Sequence, residues 1–98
     1  MFDISIINKR YFNIKIGDLI LDVEPPKLKT LKKITALTKV KNEDAIEELS
    51  TAVGLILSKN KTGCKIPDEV IDELDLDQMN EILTAFFRWL AEQKNSPN

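Results

Sequence analysis

The chain has 98 residues, a formal net charge of −2, 43% apolar and 31% charged residues, one cysteine and no histidine. Such a balance belongs to one ordinary globular domain and not to a disordered chain, and it leaves room for a modest core without metals or disulfides. Cys64 has no intramolecular partner, no apolar run approaches the ~18 residues of a membrane span, and the opening residues alternate instead of forming a signal-peptide block; the sequence therefore reads as soluble, cytosolic and unanchored.

The first 24 residues carry the period-two pattern of half-buried strands. Phe2, Ile4 and Ile6 alternate with polar neighbours, as do Phe12, Ile14 and Ile16, and then Leu19, Leu21 and Val23. Gly17-Asp18 suits a type II′ turn between the second and third runs, and residues 8–10 give a weaker turn between the first and second. A β-hairpin, or a three-stranded antiparallel meander, is expected over residues 1–24. Pro25-Pro26 ends it, since neither residue can donate a ladder hydrogen bond.

Helices follow. Over residues 27–40, Leu28, Leu31, Ile34 and Leu37 form one stripe and Lys29, Lys32, Lys33 and Lys39 fall opposite. Asn42 suits an N-cap, with Glu43 and Asp44 in the first turn of a helix running to residue 59. The stripe of that helix is Ala45, Ile46, Leu49, Ala52, Val53, Ile56 and Leu57. Residues 60–65 (NKTGCK) read as a loop, and Pro67 opens a short helix to residue 74. Asp75 and Gln78 have capping-box spacing for a last helix over residues 76–93, and residues 94–98 should fray. The expected architecture is one α+β domain spanning residues 1–98, with a meander (1–24) covered by three to four α-helices (27–93).

The catalytic and metal inventories are thin. Without histidine there is no Ser-His or Cys-His nucleophile pair, and a lone cysteine cannot build the usual zinc sites. No EF-hand, P-loop or dinucleotide fingerprint is present. The acidic pairs at helix starts read as solvated faces, and Cys64 as a half-buried structural residue. No enzyme, cofactor or metal is therefore expected. The lysines of residues 27–41 lack the arginines and aromatics that read or stack bases, so a nucleic-acid role ranks low.

Two features point to protein partners. Residues 1–41 hold nine Lys/Arg against four Asp/Glu, and residues 42–98 hold five against twelve, so the halves carry +5 and −7. Copies of the chain can attract one another through that split, and self-association is expected. The last helix carries an apolar arc roughly 160° wide at 100° per residue, against about 100° for covering one core. Phe86, Phe87, Trp89 and Leu90 lie on or beside it, and Leu55 falls outside the stripe of its own helix. Large aromatics at the margins of an over-wide stripe form a candidate partner-binding face, with Phe86 the member most suited to the core.

Residues 11–29 (YFNIKIGDLILDVEPPKLK), 46–49 (IEEL), 55–60 (LILSKN) and 86–90 (FFRWL) together resemble the small tail assembly chaperones of long-tailed bacteriophages. The resemblance implies a non-enzymatic late protein in the cytoplasm of the infected bacterium. It implies binding of the long, helical, apolar-rich tape measure protein, recruitment of tail tube subunits, and often self-association. It also implies a longer product made by frameshifting, for which Gln93-Lys94-Asn95 can encode the slippery heptamer A-AAA-AAC. The alternative from a different class is a small regulatory or inhibitor protein that blocks an enzyme through the same aromatic helix.

Overall fold

A computed structural model describes residues 1–4 and 10–92. Two strands, β1 (Phe12–Ile16) and β2 (Leu19–Val23), pair antiparallel with Phe12 opposite Val23, Ile14 opposite Leu21 and Ile16 opposite Leu19. The turn has φ +59° at Gly17 and no positive φ at Asp18, the pattern a type II′ turn requires. One face of the hairpin turns inward, with Leu21 and Val23 fully covered, while Asn13, Lys15 and Ile20 face solvent. Of the first predicted run, Phe2 and Ile4 are exposed and outside any strand, and Ile6 lies outside the described residues.

A different segment extends the hairpin. The Glu24 amide donates to the Lys59 carbonyl and the Lys61 amide to the Asp22 carbonyl, both at 2.8 Å, with Val23 bridging Asn60. Residues 59–61 thereby cover the outer edge of β2. Lys59 also forms an ion pair with Glu24 at 3.4 Å.

Four helices follow: α1 (Leu28–Thr38), α2 (Ala45–Ser58), α3 (Asp68–Asp72) and α4 (Leu76–Ala91). The predicted boundaries move slightly. Asn42 accepts the Asp44 amide through its side chain at 2.8 Å and so shapes the turn before α2, whose N-cap is Asp44. Pro67 is the N-cap of α3, not its first residue, and that helix ends at Asp72. The Asp75–Gln78 capping box forms in both directions, at 2.7 and 2.9 Å.

Helix α2 is the hub, packing against α1, α3, α4 and β2. Its Ala52, Val53, Ile56 and Leu57 meet Ile34 of α1, Leu21 and Val23 of β2, Ile66, and Met79, Ile82, Leu83 and Phe86 of α4 in one core. Not every predicted stripe position is buried: Leu28 and Ile46, in the first turns of α1 and α2, stay exposed. Cys64 is exposed too, not half-buried. Its loop is ordered by buried Asn60, whose amide nitrogen donates to the Leu57 and Cys64 carbonyls and whose oxygen accepts from the Cys64 amide and the Thr62 hydroxyl. Among the described residues no helix is long and apolar enough to cross a membrane.

Candidate protein-binding surface

The wide apolar arc of α4 has three destinations. Its centre, Met79, Ile82, Leu83 and Phe86, fills the core, and Phe86 has no exposed surface. Phe86 is thus a packing residue and unavailable to a partner in this fold. One margin carries Trp89, whose ring lies 5.7 Å from Phe12 of β1 and 5.9 Å from Phe86, with the Arg10 guanidinium 4.6 Å above it. The other margin carries Phe87, edge-on to Phe86 at 5.6 Å.

Of the expected partner residues, Phe87, Trp89, Leu90 and Leu55 are half-buried and packed against the core. Trp89 and Phe87 are roughly 160° apart around α4, so they do not form one patch. Trp89 is instead the seam between α4 and the hairpin. Arg10 locks that seam, because it also donates to the Trp89 and Glu92 carbonyls at the C-terminus of α4, where a cation complements the helix dipole.

The better-formed surface lies at the other end of α4. There β1 and the first turns of α4 draw apart and leave a groove of about 580 Å³, a size suited to binding another molecule. Its floor is apolar: Phe12, Ile14, Ile16, Leu74, Ile82 and Ala85. Its rim is polar and exposed, with Asp75, Asp77, Gln78 and Glu81 on the helix side and Asn13 and Lys15 on the strand side. Asp77 and Glu81 stand one helical turn apart, so their carboxylates share a face. The capping box fixes where α4 starts at this end, and Arg10, just before β1, holds the far end of the helix at Trp89.

Backbone geometry adds to the side chains. Asp22 and Glu24 direct their main-chain groups toward residues 59–61, so by alternation Val23, Leu21 and Leu19 direct theirs at β1. Phe12, Ile14 and Ile16 are their partners. The N–H and C=O groups of Asn13 and Lys15 therefore point away from β2, toward the groove side, and have no partner among the described residues. One sheet edge is covered by residues 59–61, and the other has no partner among the described residues.

Sequence reasoning missed this groove because it forms between segments some sixty positions apart, and no periodicity within either reveals the gap. The only local signal was the acidic start of α4, which reads equally well as solvated. Among the described residues no group of Asp, Glu, Cys or His is arranged to hold a metal ion. Compared with protein-family models, curated proteins and solved structures, the chain shows no match.

Proposed function

We propose that this chain is a non-enzymatic assembly chaperone of the phage-tail kind, which holds apolar-rich segments of the tape measure protein in the infected cell until tail tube subunits assemble around them. The observation that carries this reading is the apolar-floored, polar-rimmed groove beside an open strand edge. A chaperone must cover apolar client surface reversibly, and a cleft of this chemistry on a small domain suits that task without enclosing the client. The exposed Ile20, Leu28 and Ile46 add scattered apolar surface. The motif resemblance over residues 11–29 and 86–90 supplies the identity of the client.

The test is co-expression with the tape measure protein of the same genome. The tape measure protein should be insoluble alone and recovered as a soluble complex when this chain is present. Equal solubility with and without the chain, or no complex, overturns the reading.

A further inference from the structure

We infer that the groove takes an extended client segment that alternates apolar and basic residues and adds to the sheet as a strand along β1. The inference rests on the chaperone reading above and specifies the form in which the client binds. Three observations converge on that occupant.

The first is the open edge. Asn13 and Lys15 present their backbone N–H and C=O groups away from β2, with no partner among the described residues, along a five-residue strand of about 17 Å. An added strand pairs with those groups. A helix laid in the groove strips water from them and gives nothing back, because its own backbone is already satisfied.

The second is the pleat. A strand beside β1 continues the inward face of the hairpin, so every second side chain points down into the space over Ile82, Ala85 and Leu74. Those positions call for apolar residues of ordinary size. Positions between them reach the rim.

The third is charge. Asp75, Asp77 and Glu81 stand on the helix side against one Lys15 on the strand side, so the rim is net negative and complements lysine or arginine on the incoming segment. The same charges disfavour a second copy docking β1 to β1, because that arrangement brings two acidic rims together. Lys15 on the edge also discourages self-pairing.

The experiment uses the full chain and four labelled nine-residue peptides followed by fluorescence anisotropy. One alternates valine and lysine, one alternates valine and glutamate, one is the lysine peptide N-methylated at every second amide, and one is a helix-stapled leucine-lysine peptide. The lysine peptide should bind at least tenfold more tightly than each of the other three. Binding should slow amide exchange at Asn13 and Lys15 in the NMR spectrum.

Two variants extend the test, each checked for an unchanged circular dichroism spectrum and melting temperature. Lys15→Pro removes an outward N–H at a position where an edge strand tolerates proline, and should abolish binding. The double variant Asp77→Lys, Glu81→Lys should weaken the lysine peptide at least tenfold. Equal binding of the glutamate, N-methylated or stapled peptide overturns the inference. So does slow exchange at Asn13 and Lys15 in the free protein, which shows the edge already filled by this chain or a second copy. If no peptide binds but the tape measure protein is still solubilised on co-expression, strand addition is wrong and the chaperone reading stands. If the peptides behave as expected but co-expression fails, the client assignment falls and the groove chemistry stands.

Discussion

Arg10 reaches across 79 positions of sequence to Trp89, stacking its guanidinium 4.6 Å over the indole and donating to the Trp89 carbonyl oxygen. One side chain therefore performs two tasks: it covers a ring and it caps a helix. Arg10→Ala removes both, and a loss of about 1–3 kcal/mol is expected in urea unfolding. Arg10→Lys keeps the charge but not the planar fork, and should recover less than half of that loss. An Arg10→Ala protein as stable as the parent shows that the seam is held by the aromatic rings alone.

The same seam changes what alanine substitution in α4 should do. Trp89 touches Phe12, Phe86 and Arg10, whereas Phe87 has one ring partner, Phe86. Trp89→Ala should cost about 2 kcal/mol or more and Phe87→Ala clearly less, while Ile82→Ala in the core should cost about 2–5 kcal/mol. Chemical denaturation of the three single variants gives the order. If Phe87→Ala is the most damaging, the roles assigned to the two margins of the helix are reversed.

Asn60 is the one buried polar side chain among the described residues, and it forms four hydrogen bonds, one to Leu57 at the end of α2 and three to Thr62 and Cys64 in its loop. Asn60→Ala leaves carbonyls and an amide without their partner and should destabilise by about 1–3 kcal/mol. Because residues 59–61 also pair with β2, exchange of the Glu24 and Lys61 amides should accelerate in the same variant. Unchanged exchange at both amides separates the loop from the sheet.

Gly17 holds φ +59° with nothing within 4 Å of where a Cβ sits, so a side chain there meets backbone strain and no clash. Gly17→Ala should cost about 1–2 kcal/mol and Gly17→Asn less, since asparagine tolerates the left-handed region better. Thermal melts of the two variants decide it. Equal melting temperatures count against a strained turn.

The hairpin register and the start of α4 were legible in the sequence because each depends on neighbours. Alternation places Phe12, Ile14 and Ile16 on one face, and Asp75 needs only Gln78 to close its box. What stayed hidden was long-range. The edge of β2 is covered by residues 59–61 through a single bridge, too short to leave a periodic trace. A helical wheel gives the angle of Trp89 but not its neighbour, so a ring that looked free for a partner meets Phe12 and Arg10 instead. Of the first run of the expected meander, Phe2 and Ile4 lie outside any strand and the rest lies outside the described residues; alternation describes a competence to pair, and pairing also needs an edge within reach.

The charge split of +5 and −7 motivates one solution measurement. Sedimentation at low ionic strength should show association that weakens as salt is raised to about 0.5 M, where screening shortens to a few ångströms. A monomer at every concentration and salt removes the electrostatic argument for self-association.

Phe86 is fully buried although it belongs to α4, which is synthesised after the hairpin and after α1, α2 and α3. At about 5–20 residues per second, a ribosome needs roughly 3–13 s to travel from the end of β2 to Phe86. Throughout that interval the hairpin is complete in sequence, yet its inward face has no α4 to cover it. The nascent chain thus passes through a stage with Phe12, Ile14 and Leu21 open on one side, and the timing of translation, as much as the final packing, sets how long those residues can meet other chains.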